Sequence, residues 1–331
     1  MAATPWGRKK GIAMLFAYKV QNGRLARMAL DEPLENALWI DLYAPQPQQI
    51  TRVNGLGVEV PTLSDMEEIE ISNRLYSEGD AFYMTAVLPG QTPEKGQMTG
   101  PVTFILKPTR LITVRHHAPR PFETFPERAE RSGTGIGSAS QLFLGLIEEI
   151  VARHADLLEA VGRSLDEVAR NIYGVTEAGQ DLLQTSLKVV GREGEVLSRV
   201  RLGLLTVERM VGYFSHASET MTSGQKLKAH IRSHMRDIQA LEVHADFLSA
   251  RVGMVTDATL GMVNLAQNTT VRILSVVTAL FLPPTLIASA YGMNFKYMPE
   301  LEKTWGYPMA LGLMVGSALA TYMFLRWKRW L

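Results

Sequence analysis

The sequence predicts an α+β soluble domain joined by one long stalk helix to two C-terminal transmembrane helices. Three observations carry this prediction. Residues 1–120 alternate short apolar runs with hairpin turn signals. Residues 226–282 hold a helical pattern with no proline, far beyond the length of an ordinary globular helix. Residues 273–291 and 307–325 are two nineteen-residue stretches without a formal charge. Each is long enough to cross a hydrocarbon core of roughly 30 Å as a helix.

Composition sets the outer limits. A chain of 331 residues holds one large soluble domain and a small membrane unit. A net charge of +1 gives no case for nucleic acid as a partner. The absence of cysteine removes disulfides, thiolate zinc sites and thiol redox chemistry. Residues 1–10 are basic but lead into no long apolar core. A cleaved signal peptide is therefore not expected, and the N-terminal bulk is placed in the cytoplasm.

The elements follow in order. Residues 12–20 and 24–30 read as strands around a turn at Asn22 and Gly23. A third short strand covers 38–43, and a short helix covers 48–56, ended by Gly57. Residues 62–70 read as an acidic helix capped by Ser64. Strands are expected at 71–76 and 81–88, then at 102–107 and 111–117, each pair flanking a tight turn. Residues 1–120 thus form an α+β unit with a mixed sheet. Residues 121–131 suit a short helix, and the glycine-rich stretch 133–137 lacks the Gly-Lys-Ser/Thr ending of a phosphate loop, so it reads as a plain loop.

Apolar stripes at helical spacing then run over 138–172 and 178–214. They define an antiparallel helical pair within a segment 121–222. The stalk occupies 223–272 and continues into the first transmembrane helix, 273–291. A loop at 292–306, the second transmembrane helix at 307–325 and a basic tail at 326–331 complete the chain.

One face of the long helix is unusual. Asp257, Gly261, Asn264, Asn268 and Arg272 are separated by 4, 3, 4 and 4 residues, so the first four share a face. Continued into the membrane, that face carries Leu274, Thr278, Leu282, Thr285 and Ser289. Small polar groups alternate with bulky apolar ones. In a symmetric bundle, rings of Leu274 and Leu282 would form constrictions that block ions by dewetting, while the hydroxyls would meet water around an ion. Hydroxyls also glue membrane helices together, and Arg272 is read as snorkelling outward to lipid phosphates.

The second span has Gly312, Gly316 and Ala320 at four-residue spacing, a strip suited to close helix contact. Arg272 precedes the first span, and Arg326, Lys328 and Arg329 follow the second; the connecting loop balances Lys296 and Lys303 against Glu300 and Glu302. The positive-inside rule places both termini in the cytoplasm and the loop outside.

Tyr291, Gly292, Met293 and Asn294 follow a helix containing Phe281, Leu282, Pro283, Pro284 and Thr285. Met298, Pro299, Glu300 and Leu301 come next, then Trp305, Gly306, Tyr307 and Pro308, and a basic tail with Trp327 and Trp330. In this arrangement the chain resembles the CorA family of magnesium/cobalt channels over roughly its last 65 residues. The resemblance implies a funnel-shaped cytoplasmic domain, a homopentamer in the bacterial inner membrane, and influx of Mg2+, with Co2+ as a second cargo. It implies a selectivity filter at Gly292, Met293 and Asn294, and a pore-lining role for Asn268. It also implies regulatory Mg2+ binding by acidic residues of the soluble domain, for which Asp237 and Asp257 are the candidates. Glu67, Glu68 and Glu70 are either their partners or a solvated acidic face.

The chemistry of that filter is sound. Mg2+ holds its water tightly and prefers octahedral oxygen coordination. A ring of Asn294 amide oxygens could accept hydrogen bonds from the ion's own waters without stripping them. Met293 suits packing better than ligation, since a thioether prefers soft metals. Glu300 and Glu302 either concentrate cations at the mouth or are ordinary loop charges. The partners expected are further copies of the chain, the lipid bilayer and hydrated divalent cations. The pairs His116/His117 and His230/His234 keep open a zinc or nickel transporter of the same superfamily. A membrane-anchored interaction protein without transport is the other alternative. No catalytic constellation stands out, so an enzyme is not expected.

Overall fold

The computed structural model describes residues 14–29, 31–92, 96–174, 180–220, 225–293, 298–299 and 303–330. Strands β1 (Met14–Gln21) and β2 (Arg24–Arg27) form the expected hairpin. Asn22 and Gly23 take φ of 51° and 74°, the left-handed pair that a two-residue hairpin turn needs. β3 (Trp39–Tyr43) leads into α1 (Pro47–Asn54), α2 (Leu63–Glu67) and α3 (Ile71–Arg74). β4 (Leu75–Glu78), β5 (Ala81–Gln91), β6 (Gln97–Leu106) and β7 (Leu111–Arg115) complete one seven-stranded sheet in the order β2-β1-β3-β7-β6-β5-β4. Only the β3–β7 pair is parallel.

Two local expectations are corrected. The cap of α2 is Thr62, not Ser64: its hydroxyl accepts from the Asp65 backbone N–H at 3.3 Å, and Asp65 reaches back to the Thr62 N–H at 2.9 Å. Two orphan donors are satisfied reciprocally, which Ser64 inside the helix could not do. The strand expected at 71–76 is a helical turn, α3, and only then β4. Glu68 holds that turn, its carboxylate accepting from the Asn73 amide and its carbonyl accepting from Arg74 Nε.

Strand alternation puts different chemistry on the two sheet faces. Ile40, Leu42, Tyr83, Ile105, Ile112 and Val114 join a core with Val53 of α1 and Met66 of α2. The opposite face carries Trp39, Asp41, Phe104, Thr113 and Arg115, all buried. There the Arg115 guanidinium donates to both oxygens of Asp41 and to the His117 carbonyl. Thr113 donates to Asp41 at 2.8 Å and accepts from the Trp39 indole at 3.1 Å. Each charge in this dry network therefore has a partner, which is the condition for keeping it buried. Burial, then the nearby Asp41 carboxylate, pushes the Tyr18 phenol up to about 12.

Past the sheet come α4 (Pro121–Arg128), α5 (Ala139–Tyr173) and α6 (Gln180–Thr220). α7 (Gln225–Tyr291) is one helix of 67 residues, and α8 (Gly306–Trp327) follows it. Phe143 of α5 meets Phe104 at 5.7 Å and Phe214 of α6 at 4.9 Å between ring centroids. These edge-to-face contacts fasten helices to sheet. His154 of α5 sits against Gly203 of α6, and Ser164 donates to Glu193 at 3.2 Å, so α5 and α6 run antiparallel. Asp166 pairs with Arg251, and Gly162 lies near Leu248, so α5 and α7 run parallel.

Contacts divide the chain into two compact units, Met1–Arg170 with Lys188–Val255, and Asn171–Leu187 with Thr256–Leu331. The first holds the sheet and most of the helical bundle. The second holds two segments long and apolar enough to cross a membrane, within α7 and α8.

Candidate functional site

α7 separates its faces sharply inside the second unit. Val276, Leu280, Pro283, Ile287 and Tyr291 are half-buried, spaced 4, 3, 4 and 4 residues apart. Thr278, Leu282, Thr285 and Ser289 are exposed. The two sets are offset by two residues, about 200° around a helix. The polar stripe therefore points away from the side that the chain itself covers. Asp257, Gly261, Asn264, Asn268 and Leu274, which precede it, are exposed as well. Leu274 and Leu282 keep 67% and 65% of their surface open, a burden for large apolar groups that only lipid or further protein removes.

The threonines are arranged as acceptors. Thr278 donates its hydroxyl proton to the Leu274 carbonyl at 2.8 Å, and Thr285 donates to the Phe281 carbonyl at 2.7 Å. With that proton committed, each oxygen offers only lone pairs outward. A hydrated cation presents water protons, so the match is chemical. Pro283 and Pro284 lie inside the unbroken helix. Lacking N–H groups, they cannot complete the ladder to Ala279 and Leu280.

At the end of α7, Gly292 continues the helical bonding to the Ala288 carbonyl at 2.9 Å. A Cβ there would lie 3.1 Å from that same carbonyl, so glycine fits this tight exit. Met293 is half-exposed. Asn294, Glu300 and Glu302 lie outside the described residues. Arg272 is exposed. On α8, Ala310, Met314, Ser317, Thr321 and Leu325 form the covered side. Gly312 and Gly316 have open space where a Cβ would be built. The small-residue strip thus makes no close contact with the described part of its own chain.

The regulatory candidates are not drawn into one metal site. Asp257 is exposed on α7. Asp237 is exposed at a cavity of about 460 Å³ in the first unit, lined also by Glu148, His230 and His234. Among the described residues no three His, Asp or Glu side chains gather closely enough to hold a metal ion. Two imidazoles also do not suit Mg2+, which takes oxygen ligands. The described residues of a single chain therefore do not fit a regulatory Mg2+ site. Burial holds His234 below its ordinary pKa, against the opposing pull of Glu148 and Asp237. Glu67, Glu68 and Glu70 are exposed.

In the other histidine pair, His117 is structural. His117 is buried, and its Nε2 donates to the Leu88 carbonyl at 2.9 Å. Burial pushes its pKa down to about 4. The ring fills a notch made by Gly90 and Gly100, where added Cβ atoms would fall 2.6 Å and 3.0 Å from it. His116 lies beside it, half-buried. Sequence reasoning missed the gathering of Glu148 with the stalk histidines, because α5 and α7 are far apart in the chain. It also missed the buried partner of Arg115; the only local sign was the lone charge in each of two apolar strands.

Comparison with known proteins gives a consistent result. The family model described as CorA-like Mg2+ transporter protein matches residues 35–329. The magnesium transport protein CorA of Escherichia coli (strain K12) is 33% identical over 321 residues, covering 96% of this chain and all of the relative. Among solved structures, the CorA magnesium transporter of Methanocaldococcus jannaschii aligns with a TM-score of 0.72 at 18% identity, covering 96% of this chain and 99% of the other. The ZntB cytoplasmic domain of Vibrio parahaemolyticus aligns with a TM-score of 0.54 at 13% identity, covering 76% and 98%.

Proposed function

The chain belongs to the CorA-like Mg2+ transporter family, and on that premise we propose that it is a homopentameric channel admitting hydrated Mg2+ across the bacterial inner membrane. Co2+ is the second cargo in this reading, and both termini are cytoplasmic. The observation that carries it is the polar stripe of α7, turned away from the side its own chain covers. Two spans cannot enclose a path, so several copies must. The open strip of Gly312 and Gly316 suits close contact between such copies.

In this reading Asn268, Thr278, Thr285 and Ser289 accept hydrogen bonds from the ion's water shell. Their neutral oxygens hold the ion loosely enough to release it. Leu274 and Leu282 form the apolar constrictions. Asn294 supplies the outer amide ring, with Gly292 and Met293 completing the filter, while Asp257 at one end and Glu300 and Glu302 at the other raise local cation concentration. Two charges falling through 100 mV gain about 4.6 kcal/mol, enough to drive influx without nucleotide hydrolysis. Control by cytosolic Mg2+ through Asp237 would require carboxylates from a neighbouring copy, since the described residues of one chain do not gather them.

A zinc transporter of the same superfamily is the competing reading, with His230 and His234 at one cavity in its favour. Flux into liposomes separates the two. Mg2+ and Co2+ entry driven by an inside-negative potential, with no proton gradient, is the result expected. Zn2+ entry that requires a proton gradient, without Mg2+ entry, would establish the competitor instead.

A further inference from the structure

A cavity of about 710 Å³ opens in the first unit among the ends of β5 and β6, the start of α4, and facing sides of α5 and α6. It lies within the size range of small-molecule sites. Its charged lining is four arginines, Arg120, Arg153, Arg192 and Arg199, against two glutamates, Glu123 and Glu193, a formal +2. We propose that this cavity is a binding site for a small phosphate-bearing anion. The proposal concerns a place and a ligand class that the transport reading does not use.

The arginines are unevenly satisfied. Arg199 pairs with Glu195, and Arg192 lies 3.5 Å from Glu193. Among the described residues, Arg120 and Arg153 have no carboxylate oxygen within 4.0 Å. Arg153 is half-buried. Burial first, and the charge of Arg120 second, disfavour its protonated form, with Asp156 opposing them. Two neighbouring guanidinium groups facing a cavity without a counter-ion are a cost that a bound dianion relieves.

The glutamates offset only part of this charge. Glu193 lies against Arg192 and also accepts from Ser164 at 3.2 Å, which leaves Arg120 and Arg153 to the cavity. Burial raises the Glu123 carboxyl above its ordinary pKa, against the pull of Arg115 and Arg120. Planar guanidinium forks match phosphate oxygens two at a time. The cavity is also larger than phosphate alone needs, and Leu157, Val161, Val196 and Val200 give it an apolar wall. An organic phosphate such as a nucleotide fills both halves.

The test is equilibrium dialysis of the detergent-solubilised full chain against ATP, tripolyphosphate and adenosine in metal-free buffer. Saturable ATP binding is expected, weakened about tenfold by Arg120→Gln or Arg153→Gln and less by Arg153→Lys. Arg163→Gln, outside the cavity and paired with Glu159, should leave binding unchanged. Tripolyphosphate binding as well as ATP would support the phosphate class with an inorganic source; weaker binding would support a nucleotide. Adenosine binding as well as ATP would overturn the proposal. So would the absence of ATP binding up to about 10 mM, or equal binding by wild type and Arg120→Gln, whose side chain is exposed.

Discussion

The hydroxyl of Thr285 donates to the carbonyl of Phe281, one turn earlier on α7, at 2.7 Å. Thr278 makes the same bond to Leu274 at 2.8 Å. These bonds satisfy the only proton each hydroxyl has, so the oxygens face outward as acceptors. Replacing both threonines by the similarly shaped valine removes those acceptors together with the bonds to the Leu274 and Phe281 carbonyls, which the helix itself already satisfies. Mg2+ flux through the Thr278→Val, Thr285→Val double variant is expected to fall about tenfold or more, one lost charge-assisted hydrogen bond being worth about 1.5–3 kcal/mol. Flux at the wild-type level would mean that these hydroxyls serve helix packing alone.

Gly203 and His154 make a second, purely structural pair. His154 donates from Nδ1 to the Ile150 carbonyl at 2.8 Å, which leaves Nε2 against Gly203. A Cβ on residue 203 would fall 2.3 Å from that nitrogen. Gly203→Ala should therefore destabilise the protein by about 1–3 kcal/mol through overpacking, despite the better helix propensity of alanine. Adding His154→Ala should remove the Gly203→Ala penalty in a double-mutant cycle of thermal unfolding. Additive effects would contradict the contact.

Buried histidines also set a pH dependence. His117 and His154 have folded pKa values of about 4, lowered first of all by burial, against about 6.5 in an unfolded chain. Between these values the unfolded state binds more protons. Their contribution is fully present above pH about 6.5 and falls as the pH drops toward about 4, by on the order of 3 kcal/mol for each fully titrated histidine. The unfolding temperature of the full chain should fall between pH 7 and pH 5, and less steeply in His154→Gln. A flat profile for wild type would argue that both rings are hydrated.

Local chemistry made much of this architecture legible in the sequence. The Asn22–Gly23 turn, the ending of α1 near Gly57, the paired long helices and the 67-residue α7 all follow from turn residues and apolar spacing. The polar stripe was legible for the same reason: a helix repeats every 3.6 residues, so residues three and four apart must share a face. What escaped depended on partners distant in the chain. Nothing near Asp41 marks Arg115 as its partner, because β3 and β7 pair across 74 residues. Ser64 was a reasonable cap until the Thr62–Asp65 reciprocal bonds fixed the helix start two residues earlier. The arginine cavity draws on five separate stretches, none basic enough alone to attract notice.

The central claim is that α7 and the residues following it line a path for hydrated divalent cations. Mg2+ entry into liposomes that contain the purified chain and a trapped Mg2+-sensitive dye, at an inside-negative potential and low internal Mg2+, tests it most directly. The account predicts uptake by wild type and its collapse in Asn294→Ala, with the oligomer intact. No divalent flux from a correctly folded oligomer, or uptake unaltered by the substitution, would contradict it.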